Sequence, residues 1–189
     1  MRGGARSAAA NAALSNAGPP GGRGPTGASA CDHPEMRYEI VRYEVDGWGV
    51  GELRLLDGAV LSHERPRPGS GWQPQGDHPL VARFRAHLAG ERVSYDDVEL
   101  VLDWCTPLQH AIAGALRTIP WGETVSYGEL AALAGRPRAP RAAGTFCATS
   151  QAALIVPCHR VVASGGIGSY GGDGVATKRR LLALEGVHL

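Results

Sequence analysis

Residues 106–149 read TPLQHAIAGALRTIPWGETVSYGELAALAGRPRAPRAAGTFCAT, and this stretch decides the fold of the second half of the chain. Thr106 followed by Pro107 is typical of a helix N-cap with proline in the first turn. Apolar residues then recur at helical spacing as far as Ile119. The pattern predicts a structural helix that ends before Pro120.

The same stretch continues with a pair of short helices. Ser126 and Glu129 match the S-x-x-E capping box, which predicts a helix that Gly135 closes. A second helix should begin at Pro140. Two helices joined by so short a turn predict a helix-turn-helix, whose second helix usually contacts DNA. Helical hairpins of other kinds are far more common, so this pattern alone leaves DNA binding open.

The second helix of this pair has an outer face of small residues. Phe146 and Cys147 are expected to face inward, whereas Arg141, Gly144 and Thr145 face outward. Such a face fits close packing against another helix, and it fits equally well insertion into a narrow groove of DNA, where bulky side chains would clash.

The first half predicts a small α/β unit. Residues 38–45 and 50–56 are strand-like, residues 62–77 have the composition of a Pro/Gly loop, and residues 80–88 have a helical apolar face that Gly90 ends.

Three segments follow from these patterns. Residues 1–34 are predicted to be a disordered leader, because they contain too few large apolar residues to offset the entropy of ordering. Residues 36–103 form the α/β unit, and residues 106–189 form a mostly helical domain. The predicted fold class is α+β.

Composition and charge narrow the function classes. Through Cys105 there are 11 arginines and 14 acidic residues, whereas from Thr106 there are 8 basic and 4 acidic residues, so the second half is the basic one. No apolar run approaches the roughly 20 residues that span a bilayer. The four cysteines show no CxxC pair, which argues against a zinc knuckle or a disulfide framework and favours a cytoplasmic protein.

The chemical centre of the sequence is Cys158 with its neighbour His159. Residues 154–156 are predicted to be a short buried strand that Pro157 ends, which places both side chains at the strand end. A Cys-His pair is compatible with a metal site, a nucleophile or no function at all. Adjacent residues on extended backbone point to opposite sides, so His159 is expected to reach the Cys158 sulfur only through water.

Two features follow this pair along the chain. The glycines of residues 165–172 surround Tyr170, which predicts a loop that approaches a ligand closely and offers a ring for stacking. No nucleotide-binding glycine motif is present. Residues 176–185 predict a basic helix whose last residue, Glu185, is a carboxylate that could orient His159.

Together these motifs resemble the O6-alkylguanine-DNA alkyltransferase family, also called methylated-DNA-protein-cysteine methyltransferases. The resemblance covers Thr106 to Gly186 and is most specific in the Pro-Cys-His-Arg-Val sequence of residues 157–161. Residues 36–103 are similar to the variable N-terminal domain of the family, which is ribonuclease-H-like. The resemblance implies direct-reversal repair, in which O6-alkylguanine is flipped out of the duplex and loses its alkyl group irreversibly to the protein.

The resemblance also implies a role for individual residues. Cys158 accepts the alkyl group, His159 deprotonates it through water, and Glu185 holds the imidazole. Tyr127 bonds the flipped guanine, and Arg141 fills the space left in the base stack. The further residues implied are Ala142, Gly144, Thr145 and Ser150 in DNA binding, and Val161, Tyr170, Gly171 and Lys178 in the base pocket.

The implied partner is double-stranded DNA containing O6-alkylguanine, contacted through the minor groove by a monomer. No metal, cofactor or membrane is expected. The thioether product is not readily hydrolysed back to the thiol, so each protein molecule should act once.

Three departures from the family pattern stand out. Ser150 occupies the position where relatives use an asparagine hinge, and Thr145 and Phe146 replace smaller residues of the recognition helix. The loop before Tyr170 is one residue shorter than in some members, which leaves the register of Tyr170 and Gly171 open.

Three alternatives remain at this point. A relative that binds alkylated DNA without repairing it is the strongest, although retention of Cys158 argues against it. A Cys-His hydrolase is the second alternative, and it is disfavoured because the sequence contains no oxyanion-hole motif. A structural zinc ion held by Cys31, His33 and other N-terminal residues is the weakest.

Overall fold

The computed structural model describes residues 36–172 and 174–189 of the chain. This part contains five α-helices, one 3-10 helix and two small sheets, which agrees with the predicted mixture of helices and strands. The leader predicted at residues 1–34, with the zinc ligands Cys31 and His33, lies outside the described residues.

The larger sheet has three antiparallel strands in the order β1 (Tyr38–Val45), β2 (Gly49–Leu56) and β3 (Ala59–Arg67). Asp57 and Gly58, between β2 and β3, have φ angles of 52° and 84°, the left-handed conformation that tight hairpin turns require. The prediction of two strands at residues 38–45 and 50–56 is confirmed.

The prediction of a loop beginning at Ser62 was wrong for residues 62–67, which belong to β3. His63 pairs with Leu53 of β2, and Glu64 pairs with Glu52. Pro66 is tolerated because β3 is an edge strand of this sheet, where a missing N–H need not remove a ladder hydrogen bond.

Helix α1 (Pro79–Leu88) packs its apolar face against this sheet, as its periodicity predicts. The side chain of His78 caps its first turn by accepting a hydrogen bond from the amide of Leu80 over 3.2 Å. Phe84 is fully buried, and so is His87, a polar residue one helical turn further on.

The second half supplies the other helices. The predicted N-cap at Thr106 and the predicted capping box of Ser126 with Glu129 are both present, and Thr106 also forms a capping box with Gln109. The helices are α2 (Pro107–Arg117), α3 (Tyr127–Leu133), α4 (Pro140–Thr149) and α5 (Gly174–Leu184).

Helices α3 and α4 pack against each other. Leu130 and Ala131 of α3 share a core with Ala143 and Phe146 of α4. The inward direction predicted for Phe146 is confirmed, since it is 3% exposed. This packing leaves the opposite face of α4 accessible to solvent.

The strand predicted at residues 154–156 was wrong. These residues are buried as expected, but they form a turn in which Leu154 has a φ angle of 68°, and Cys158–Arg160 form a 3-10 helix. A strand needs a partner to satisfy its backbone, whereas the amide of Val156 here bonds locally to the carbonyl of Ala152. Only after the 3-10 helix does a strand follow, where β5 (Val161–Val162) pairs in parallel with β4 (Val125–Ser126).

The hydrophobic core of the first half includes residues of the second. Leu154, Ile155 and Leu181 are buried in the same cluster as Phe84. The amide of His63 also donates to the carbonyl of Gln151 over 2.6 Å. The α/β unit therefore supports the turn before Cys158 directly. None of the helices in the described ranges is both long and apolar enough to cross a membrane.

Candidate active site

Cys158 begins the 3-10 helix and is 8% exposed. Its side chain hydrogen bonds to that of Cys147 on α4, and this bond, together with burial, raises the pKa of the Cys158 thiol well above its usual range. The side chain of Ser150 hydrogen bonds to the same thiol and acts in the opposite direction. The resting site therefore favours a neutral Cys158 until a base removes its proton.

Cys147 shares its hydrogen bond with the acceptor thiol. The bond to Cys158 lowers the pKa of Cys147. Two thiols coupled in this way lose their first proton more easily than their second.

His159 is fully buried, and its Nε2 atom lies 2.8 Å from Oε1 of Glu185. Burial lowers the pKa of His159 to about 4, because the cost of desolvating its charged form outweighs the nearby carboxylate. The imidazole is neutral at pH 7 and can accept a proton.

The second ring nitrogen of His159 is the one that can act as a base. Its Nδ1 atom is buried and has no hydrogen-bond partner within the described part of the chain. Because Glu185 favours the proton on Nε2, Nδ1 carries the lone pair. A proton relay through water to Cys158 requires such an atom, and the relay itself stays a prediction.

Glu185 follows α5 and is held from several sides. Arg160 donates from Nε to Oε2 and from Nη2 to Oε1, each over 2.9 Å, and the amide of Gly122 donates to Oε2 over 3.2 Å. Burial acts to raise the pKa of Glu185, but the side chains of His159, His87 and Arg160 outweigh it and keep that pKa well below its usual range. The carboxylate stays ionised.

Tyr127 begins α3 and is half-buried beside α4. A Cβ atom on Gly144 would lie 3.8 Å from its ring, an ordinary van der Waals contact, so Gly144 lies directly beside Tyr127. Burial raises the pKa of Tyr127, although a hydrogen bond with Ser169 acts against this. The phenol thus remains a proton donor at neutral pH.

Lys178 of α5 ties together the segments that follow Cys158. Its Nζ atom is buried and donates to the carbonyl of Val161 over 2.6 Å and to that of Ser169 over 3.2 Å. Both Val161 and Lys178 were predicted in the base pocket, and here they are joined by this hydrogen bond. Burial lowers the pKa of Lys178.

Tyr170 and Gly171 lie in the glycine-rich loop. Tyr170 packs against the cores of both halves, and the Arg65 guanidinium lies 5.6 Å from its ring centroid. Gly171 is exposed, with a φ angle of 34°. Their assignment to a base pocket stays a prediction.

The residues predicted to contact DNA are distributed over α4. Arg141 and Thr145 are exposed, and the Thr145 hydroxyl donates to the Arg141 carbonyl over 3.0 Å. Ala142 and Gly144 are half-buried, and Ser150 is the C-cap of the helix. Arg141 is the long cationic side chain among these residues.

Three residues of the site were missed by sequence reasoning. Cys147 was expected only to face inward, and Arg160 and His87 received no role. Arg160 belongs to the Pro-Cys-His-Arg-Val motif, which was a usable signal. His87 comes from α1 of the other half, and no local pattern links it to the site.

His87, His159 and Glu185 form a group whose potential metal-ligand atoms all lie within 4.8 Å of one another. The Arg160 guanidinium, however, already bonds to both oxygens of the Glu185 carboxylate. A second cation at this carboxylate would meet repulsion from Arg160. These contacts favour a hydrogen-bonded network over a metal centre.

Residues 107–187 match the family described as 6-O-methylguanine DNA methyltransferase, DNA binding domain. A methylated-DNA-protein-cysteine methyltransferase of Mycolicibacterium paratuberculosis is 42% identical over 137 residues, which cover 72% of this chain and 79% of that protein. The chain belongs to this methyltransferase family. The Mycobacterium bovis protein of the same name is 49% identical over 157 residues, covering 77% of this chain and 93% of its own.

Solved structures of the methyltransferase family are similar to the structure of this chain. The crystal structure of the Mycobacterium tuberculosis O6-methylguanine methyltransferase has a TM-score of 0.66 and 35% identity, covering 79% of this chain and 93% of that one. The Mycobacterium tuberculosis OGT in complex with DNA has the same TM-score, and the match covers 78% of this chain and 92% of that one.

Proposed function

We propose that this member of the methyltransferase family repairs DNA by direct reversal, taking the methyl or larger alkyl group from O6-alkylguanine onto Cys158. The observation that carries the proposal is a buried Cys158 followed by a buried His159 that hydrogen bonds to Glu185 over 2.8 Å. The neutral imidazole presents an unpartnered nitrogen, and the thiol needs a base.

The reaction is an in-line displacement at the alkyl carbon. His159 takes the thiol proton through water, the Cys158 sulfur forms a bond to the carbon, and the carbon–O6 bond breaks with its electron pair going to guanine. Tyr127 supplies a hydrogen bond or a proton to the departing base. Protonated His159 is then stabilised by Glu185. The product is a thioether, so each molecule reacts once and no cofactor is consumed.

Helices α3 and α4 serve as the helix-turn-helix, with α4 as the recognition helix. Its small exposed face suits the minor groove, where the backbone must approach the DNA closely. Arg141 occupies the space vacated by the flipped base. Residues 36–103 correspond to the ribonuclease-H-like domain, and residues 106–189 to the alkyltransferase domain.

The protein acts as a monomer on double-stranded DNA in the cytoplasm. A reducing compartment suits the site because Cys147 and Cys158, whose side chains are in hydrogen-bond contact, are both free cysteines without a disulfide bond. The acceptor must remain a thiol to react.

A single experiment tests the proposal. The protein is incubated with a duplex oligonucleotide containing one O6-methylguanine, and its cysteine peptides are mapped by mass spectrometry. We expect one methyl group on Cys158, no transfer in Cys158→Ser, and normal transfer in Cys105→Ser, which alters a half-buried cysteine outside the site. Duplex binding without a methylated cysteine would instead identify a lesion-binding protein.

A further inference from the structure

His87 of α1 reaches the catalytic carboxylate from the other half of the chain. It is fully buried, and its Nε2 atom lies 3.6 Å from Oε1 of Glu185, just beyond hydrogen-bond distance. Nε2 has no other hydrogen-bond partner in the described part of the chain. Its ring lies edge-on to that of His159 with 6.0 Å between centroids, and 4.9 Å from the ring of Trp121. No other side chain of residues 36–103 forms a hydrogen bond or ion pair with Glu185 in the described part of the chain.

The tautomer of His87 follows from its two neighbours. The Tyr95 hydroxyl lies 3.3 Å from Nδ1 and 3.4 Å from the carbonyl oxygen of Arg83, so its one proton has two acceptors within reach. When it donates to Nδ1, the proton of His87 resides on Nε2, which faces the ionised Glu185. The opposite tautomer would direct a lone pair at a carboxylate oxygen, which is electrostatically unfavourable.

The Glu185 carboxylate has competing donors. Arg160 contacts both oxygens, and Gly122 contacts Oε2, so the carboxylate is shared between these donors and His159. His87 lies on the Oε1 side, and Oε1 is the atom that accepts from His159. A donor at that position favours the rotation of the carboxylate that His159 requires.

We propose that His87 is a positioning residue of the methyltransferase site, which holds Oε1 of Glu185 toward His159. This inference rests on the proposed function of Cys158, His159 and Glu185. It means that the N-terminal α/β unit completes the site by placing a buried polar side chain beside the Glu185 carboxylate. His87 does not touch the thiol or the substrate, so it acts through Glu185.

The test compares two substitutions of the same buried position. His87→Phe keeps a planar ring but removes both nitrogens, whereas the side-chain amide of His87→Gln can occupy the position of Nε2 and donate to Glu185. Single-turnover methyl transfer is measured against pH for each protein, with a methylated duplex and with free O6-methylguanine base. We expect His87→Phe to be at least fivefold slower on both substrates, with its pH profile shifted to higher pH, and His87→Gln to stay within twofold of the unsubstituted protein.

A purely structural role predicts a different pattern. His63→Phe is the matched control, because His63 is another buried histidine of the same core and has no contact with Glu185. It should lower the melting temperature without moving the pH profile. Equal rates and profiles for His87→Phe and the unsubstituted protein, or equal losses in His87→Phe and His87→Gln, would overturn the proposal.

A second readout separates this inference from the proposed function. The pH dependence of Cys158 alkylation by iodoacetamide, mapped by mass spectrometry, reports the same network without DNA. If the unsubstituted protein transfers no methyl group, the proposed function fails, yet a shift to higher pH in His87→Phe still supports the positioning role. An unchanged iodoacetamide profile would overturn that role.

Discussion

His159 and Glu185 are joined by a fully buried hydrogen bond of 2.8 Å although 26 residues separate them in the chain. Their contact connects the 3-10 helix that carries Cys158 to the end of α5. Arg160 bonds to the same carboxylate from the position next to His159. The charge of Glu185 is therefore available both to orient the imidazole and to stabilise it when it becomes protonated.

Glu185→Gln should slow methyl transfer at least tenfold, which corresponds to about 1.4 kcal/mol in the barrier. The neutral amide no longer stabilises protonated His159, so removal of the Cys158 proton becomes harder. Single-turnover rates measured from pH 6 to pH 9 should show the profile displaced to higher pH. A rate and a profile equal to those of the unsubstituted protein would remove Glu185 from the mechanism.

Cys147→Ala should lower the pKa of Cys158 and speed its alkylation at neutral pH. The hydrogen bond with Cys147 is the main cause of the raised Cys158 pKa, and alanine removes it. Iodoacetamide reactivity of the Cys158 peptide against pH measures the change, with Cys105→Ala as a control outside the site. A shift to higher pH would mean that the Cys147 thiol stabilises the Cys158 thiolate instead.

Arg141→Ala should slow repair of duplex DNA tenfold or more while leaving reaction with free O6-methylguanine nearly unchanged. Only the duplex needs a side chain to occupy the emptied base stack, and flipping costs a few kcal/mol. Arg141 is exposed on α4, so its loss should not disturb the core. Arg138→Ala, in the exposed turn before α4, is the control for general loss of positive charge. Equal losses on both substrates would contradict the role in base flipping.

Ser150→Ala should raise the pKa of Cys158 and slow transfer, because the serine hydrogen bond to the thiol lowers that pKa. Ser150→Asn retains a donor and adds a carbonyl, so we expect it to transfer at least as fast as the unsubstituted protein. The rate of methyl transfer from the methylated duplex and the melting temperature are measured for both variants. A loss of rate and stability in Ser150→Asn would show that this hinge depends on serine itself.

Stability should fall as pH decreases from about 6.5 toward 4. Burial lowers the pKa of His63 to about 3 and that of His159 to about 4, so in this range the unfolded chain binds protons that the folded protein does not. Each histidine contributes about 1.4 kcal/mol per pH unit to the decrease. Urea denaturation at pH 7.5 and pH 5 measures the difference, and His63→Phe should reduce it. The same difference in both proteins would contradict the assignment to His63.

Local sequence determined most of the secondary structure. The capping pairs at Thr106 and Ser126, and the turn at Asp57-Gly58, act through bonds or dihedral angles within a few residues, so they can be read without knowing the fold. The position of Cys158 and His159 after a buried segment was likewise apparent, and the family resemblance pointed to Glu185.

Tertiary structure decided the features that depend on distant partners. Residues 62–67 form a strand because β2 supplies their hydrogen-bond partners, whereas residues 154–156 form a turn in which the amide of Val156 bonds locally to Ala152. Cys158 contacts Cys147, and Glu185 lies close to His87. Each pair comes from different elements of the fold, and no periodic pattern in the sequence predicts that they meet. The sequence by itself determined which groups carry the chemistry, whereas the packing of α1, α4 and α5 around them decided their hydrogen-bond partners and pKa values, because burial and proximity exist only in the folded chain.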